Sequence, residues 1–142
     1  MRKVLPNPAS VSVLAGLALG ALATTACESR YGKPQAVTIG QLATMLRTPE
    51  PPHLFDANGE PTRKEYGVIP GATLLPSCSD YSPTLLPQNK ADPLVFYCAS
   101  TWCGAAEKAA QRALSEGHTK VAVLPEGIKG WREAGMPTSQ VN

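Results

Sequence analysis

The stretch Val95-Phe96-Tyr97-Cys98-Ala99-Ser100-Thr101-Trp102-Cys103-Gly104-Ala105-Ala106 decides the reading of this chain. Pro93 to Tyr97 is apolar at successive positions, which is how a strand covered on both faces reads. Cys98 then opens a tight loop. From Gly104 to Glu116 the sequence predicts a helix whose buried stripe is Ala106, Ala109, Ala110, Ala113 and Leu114. Gly117 supplies its left-handed stop. A cysteine between a strand end and a helix start faces unpaired amide groups and the positive end of the helix dipole. Such a setting favours the thiolate, and only the thiolate is a good nucleophile. A second reading stays open on these residues, that of a small buried hydrophobe at a strand end.

Working outward, the same alternation recurs. Ala36 to Ile39 predicts a short strand, and Gly40 to Arg47 a helix with Leu42, Met45 and Leu46 on one face. Three prolines between Thr48 and Pro52 stop it. His53 to Ala57 predicts a strand carrying an acid near its end. Asn58 to Glu65 is polar and offers one helical turn, and Val68 to Ala72 is a turn. Thr73 to Pro76 predicts a third strand, followed by a long connection from Ser77 to Asp92. Lys120 to Leu124 is the last strand, and Gly127 to Gly135 a short helix that Pro137 forbids from continuing. Strands alternating with helices predict an α/β fold: a central parallel sheet of about five short strands with helices on both faces. Ligands in such folds sit at the carboxyl ends of the strands, where Cys98 lies.

The chain has 142 residues, room for one core. Hydrophobic residues make up 43% and charged residues 17%, a globular balance. The net charge of +2 is spread out, with no basic stripe for nucleic acid. Arg2 and Lys3 precede the uncharged apolar stretch Val11 to Ala23, which is short for a membrane span and suits a signal peptide. It runs into Leu22-Ala23-Thr24-Thr25-Ala26-Cys27, which resembles a bacterial lipoprotein signal in which the cysteine becomes lipidated. Thr24 departs from the usual leucine, and ordinary cleavage after Ala23 or Ala26 is the alternative. The expected organisation is a signal segment at 1–26, Cys27 as the mature N-terminus, a tether at 27–35 and the folded body at 36–142. The expected location is the cell envelope or periplasm, with membrane attachment through the N-terminal lipid only. Disulfides persist there. With Cys27 lipidated, Cys78, Cys98 and Cys103 remain, so at least one thiol stays free or pairs elsewhere.

Four pieces in order resemble the rhodanese family of single-domain sulfurtransferases, over residues 36 to 138. They are Leu54-Phe55-Asp56, the turn Tyr66-Gly67-Val68-Ile69-Pro70-Gly71-Ala72, the strand and cysteine Val95-Phe96-Tyr97-Cys98, and the closing run Gly127-Ile128-Lys129-Gly130-Trp131-Arg132-Glu133-Ala134-Gly135-Met136-Pro137. Val68 replaces the family's turn histidine, and Ala57-Asn58 a frequent valine-arginine. Trp102-Cys103 stands where many members carry arginine or another polar residue, although a subset of exported members has a second cysteine there.

The resemblance implies that Cys98 is the catalytic nucleophile, cradled by loop residues Ala99, Ser100, Thr101, Trp102 and Gly104. It implies two-step transfer of sulfane sulfur from thiosulfate or a persulfide donor to cyanide or a thiol, through a Cys98 persulfide. No metal or organic cofactor is expected. Two alternatives remain: a sulfur carrier with little turnover, and a thiol redox protein using Cys98 and Cys103. Cys103 is either a resolving thiol or a packed small residue; a disulfide needs Cα atoms within about 7 Å. Phosphate ester hydrolysis is disfavoured because the loop has no arginine to grip phosphate. Cys78, Cys98, Cys103 and His118 match no zinc spacing. Asp56 is expected to be structural near the site, Trp102 a pocket wall with a partner-docking side chain as the alternative, Trp131 a packing residue, and His53 and His118 surface residues. Lys108 and Arg112 are expected on a solvated face, and Cys78 as an inert surface thiol, with approach to the active site as the alternative.

Overall fold

The computed structural model describes residues 31–141. The expected signal segment and Cys27 lie outside the described residues. Five strands form one sheet: β1 (Gln35–Ala36), β2 (His53–Asp56), β3 (Thr73–Leu74), β4 (Leu94–Tyr97) and β5 (Val121–Leu124). Their order across the sheet is β1-β5-β4-β2-β3, and every neighbouring pair is parallel. The helices are α1 (Ile39–Met45), α2 (Glu60–Tyr66), α3 (Ala105–Ser115) and α4 (Gly127–Glu133). The expected fold class holds.

Side-chain alternation along the strands assigns the two faces. Phe55, Leu94, Phe96, Val121 and Val123 pack under α3 with its alanine stripe. Leu54, Val95, Tyr97, Ala122 and Leu124 face the other way, onto Leu42 of α1 and Ile128 and Trp131 of α4. Phe55 and Phe96 are register partners on adjacent strands, and their rings stack at 4.8 Å. Alanine on α3 lets that helix sit close to the aromatic pair. Trp131 is buried as expected and donates its indole N–H to the Pro137 carbonyl at 2.8 Å. This bond fastens the C-terminal segment, which also pairs through Ser139 with Val68. The long connection after β3 is held by Tyr81, whose hydroxyl donates to the Ala109 carbonyl at 2.8 Å. Burial pushes the Tyr81 phenol up to about 12, so it stays a donor at neutral pH.

Two elements differ from the sequence reading. β1 stops at Ala36 because Thr38 caps α1: its hydroxyl accepts from the Gln41 amide, and the Gln41 side chain accepts from the Thr38 amide. This reciprocal capping box draws Ile39 into the helix. The polar stretch after β2 forms α2, seven residues long rather than one turn. No residue of α2 is buried, so no apolar periodicity announces it. Its anchor is polar, as described next.

Candidate active site

Cys98 follows β4, which lies between β5 and β2 in the sheet. Its side chain turns to the α3 face and is 2% exposed. The loop bends back through the Cys103 amide, which donates to the Ser100 carbonyl at 3.0 Å. That turn brings the two Cα atoms to 6.3 Å, and Cys98 and Cys103 are joined as a disulfide. Cys103 also packs, partly buried, against the apolar cluster on the α3 face. The Cys98 sulfur also lies 2.9 Å from the Cys103 carbonyl oxygen. That oxygen would accept the thiol proton in the reduced form, so it opposes the thiolate. Stabilisation of an anionic sulfur must come from elsewhere in the loop.

Helix α4 supplies the arrangement that allows it. The Ile128 amide donates to the Cys98 carbonyl at 2.8 Å, and the Lys129 amide to the Ala99 carbonyl at 3.0 Å. A peptide whose C=O points one way directs its N–H the other way. The Ala99 and Ser100 amides therefore face away from α4, toward the loop. Among the described residues, the amides of Ala99, Ser100, Thr101, Trp102 and Gly104 bond no protein acceptor. Successive open amides make an anion-holding concavity. Gly127 permits this close docking: its φ is +62°, and a Cβ there would lie 2.5 Å from the Cys98 carbonyl oxygen. Gly127 is legible in the sequence as part of the closing signature, but its role is not; the one signal is a glycine at the first position of a short helix.

The neighbouring strand end is a closed knot. Asp56, at the end of β2, is fully buried. Its carboxylate accepts from the Asn58 amide at 2.8 Å and pairs with Arg63 Nε at 3.0 Å. Arg63 also donates to the Asp56 and Leu75 carbonyls, at 3.0 and 2.8 Å. The Asp56 carboxylate is thus taken up by Asn58 and Arg63 within the fold. Arg63 was missed because it sits in the polar stretch that gave no periodic signal. Tyr97, the register partner of Asp56, accepts the Ile69 amide at 3.0 Å and so holds the 68–72 turn. Burial first, then the Asp56 charge, pushes its phenol far up.

Several expected positions are corrected. Trp102 is 97% exposed at the loop tip, where the Ser100–Cys103 turn points it outward, rather than set into a wall. His118 is buried at 2% exposure: its amide bonds the Ala113 carbonyl just past α3, which folds the ring inward beside Lys90 Nζ at 3.1 Å. Cys78 is not a surface thiol. It is free, half-buried, and packed against the same apolar cluster as Cys98 and Cys103. Arg112 leaves the solvated face to lie over the Tyr81 ring at 5.2 Å and to reach the Ser79 carbonyl, whereas Lys108 is exposed. His53 is exposed beside Asp92 at 3.5 Å. Among the described residues no group of three His, Cys, Asp or Glu side chains stands close enough to hold a metal ion.

Residues 38–134 match the rhodanese-like domain family. The fold is similar to that of a rhodanese-like domain protein from Staphylococcus aureus, at 21% identity and TM-score 0.56, over 75% of this chain and 99% of the other. A rhodanese-related protein from Thermoplasma volcanium shares 18% identity and a TM-score of 0.59, over 75% and 99%. A protein of unknown function from Rhodopseudomonas palustris, described as a possible tyrosine phosphatase, shares 22% identity and a TM-score of 0.61, over 75% and 85%. No curated protein matches the chain. With the matched residues spanning β2 to β5 and all four helices, the chain belongs to the rhodanese-like domain family.

Proposed function

We propose that this protein is a sulfurtransferase that carries sulfane sulfur on Cys98, working outside the cytoplasm on a membrane anchor at Cys27. The observation that carries the reading is the Cys98 loop: both carbonyls at its start are taken by α4, and five amides are left open. Those amides suit a sulfur that is negative both as thiolate and as persulfide. In the first step the Cys98 thiolate attacks the outer sulfur of thiosulfate. The donor S–S bond breaks with its electron pair on sulfite, and Cys98 keeps one sulfur as persulfide. In the second step cyanide or a thiolate attacks that outer sulfur and takes it away. The cysteine thiolate leaves into the amide cradle. Metal and cofactor have no part in either step. The loop holds no arginine, so it lacks the bidentate donor that would favour phosphate esters.

A second reading, thiol–disulfide exchange without sulfur transfer, rests on the Cys98–Cys103 disulfide. Initial rates of thiocyanate formation from thiosulfate and cyanide, with protein reduced beforehand, separate the two. The proposal expects turnover in the native chain and a loss of at least about a thousandfold in Cys98→Ser. Equal rates in both, or neither thiocyanate nor sulfide from either, would rule sulfur transfer through Cys98 out.

A further inference from the structure

We infer that Cys103 discharges the Cys98 persulfide as hydrosulfide, so that the protein acts as a thiosulfate reductase recharged by an external dithiol. This rests on the persulfide reading above and names its acceptor and co-reactant.

The geometry is the starting point. Cys103 is held where its sulfur bonds Cys98, with the Cα atoms 6.3 Å apart. A Cys98 persulfide keeps its inner sulfur at the position that Cys103 reaches. Attack by the Cys103 thiolate on that inner sulfur forms the Cys98–Cys103 bond and breaks the bond to the outer sulfur. The outer sulfur leaves with the electron pair and takes a proton as hydrosulfide. The sulfane sulfur is thereby reduced to sulfide, and the two cysteine thiols are oxidised to the disulfide. No outside oxidant is needed.

The disulfide must then be reopened, and the loop gives that step a direction. Exchange is governed by access to the attacked sulfur and by the stability of the leaving thiolate. Cys98 is 2% exposed and Cys103 is partly exposed, so an incoming thiolate reaches Cys103 first. The sulfur expelled is then Cys98, at the start of the loop whose amides from Ala99 to Trp102 bond no protein acceptor. The second thiol of a dithiol resolves the mixed disulfide on Cys103. Cys98 returns as the thiolate that attacks the next donor. Thiosulfate and a dithiol are consumed; sulfite, sulfide and the oxidised dithiol are formed. The reaction that serves this site is therefore one that keeps a dithiol reduced in the same compartment.

The test uses the full chain, reduced, freed of reductant and mixed with thiosulfate alone. Cys98 and Cys103 share the tryptic peptide 91–108, so one mass reports the outcome. In the native chain we expect one sulfide released per protein and a peptide lighter by two hydrogens. In Cys103→Ser and Cys103→Ala we expect no sulfide and a peptide carrying one extra sulfur. A native chain that stops at the extra sulfur, or variants that release sulfide equally, overturns the inference and leaves the persulfide reading intact. No added sulfur, sulfite or sulfide in any of the three overturns both. As a second arm, the oxidised native chain is treated with glutathione, and peptide fragmentation locates the adduct. It is expected on Cys103 over Cys98 by about tenfold or more; a preference for Cys98 contradicts the stated order of attack.

Discussion

Two neighbouring strands of this sheet end in opposite ways. β2 ends in Asp56, whose carboxylate and carbonyl are engaged by Asn58 and Arg63. β4 ends at Tyr97, and Cys98 directly after it opens a loop whose first carbonyls are engaged and whose amides are open. The first end spends its polar groups on rigidity. The second holds them for something that arrives. The difference teaches where to look for chemistry in this molecule: not at the buried charge, which is fully partnered, but at the backbone donors without a protein acceptor. The closed knot also serves the open loop, because the Ala57 amide bonds the Tyr97 carbonyl immediately before Cys98.

The largest expected effect breaks the closed end. Arg63→Met leaves the buried Asp56 charge without its cation and frees two carbonyls. We expect a loss of about 3–5 kcal/mol of stability by urea unfolding. A loss near zero would mean that the knot is ornamental. The next effect falls on the open end. Gly127→Ala forces a Cβ against the Cys98 and Ala99 backbone at positive φ. Strain of that kind costs on the order of 1–3 kcal/mol, and α4 must retreat from the loop. Sulfur transfer should fall more in this variant than in a surface variant of equal stability. Retention of full activity would separate the loop from α4.

The smallest expected effect lies at the far end of the sheet, away from both loops. His118 is buried beside Lys90, and burial first, then the Lys90 charge, holds its pKa below the usual 6.5. His53 adds to that lowering, while Asp92 and Glu116 oppose it. The sign follows from linkage. The unfolded chain takes up the His118 proton at higher pH than the folded chain does. Stability is therefore complete above pH 6.5 and falls as pH drops through that value. His118→Gln keeps an acceptor for Lys90 and should flatten this part of the profile. An unchanged slope would assign the acid sensitivity to other groups.

Much of this architecture was legible in the residues. The apolar run before Cys98, the alanine stripe of α3 and the glycine stop at Gly117 each follow local rules with period two or 3.6. The parallel sheet then followed from their alternation. What escaped was set by partners far away in sequence. α2 has no buried residue and is held by Arg63 reaching back to Asp56, with only Tyr66 at its end packing on an apolar cluster, so its periodicity carried no signal. His118 looked exposed because it follows a helix stop, yet its backbone bond to Ala113 turns it inward. Trp102 looked like a pocket wall, and a single turn bond at Ser100 sends it outward. Cys98 and its loop stand out in the sequence; the pairing of Cys98 with Cys103 needed the loop geometry.

The most direct measurement is the mass of peptide 91–108 from reduced Cys103→Ser protein after thiosulfate and then cyanide, beside Cys98→Ser treated alike. The account predicts one added sulfur on the Cys103→Ser peptide, removed by cyanide as thiocyanate, and none on Cys98→Ser. A Cys103→Ser peptide that gains no sulfur, or a Cys98→Ser peptide that gains as much, would contradict it.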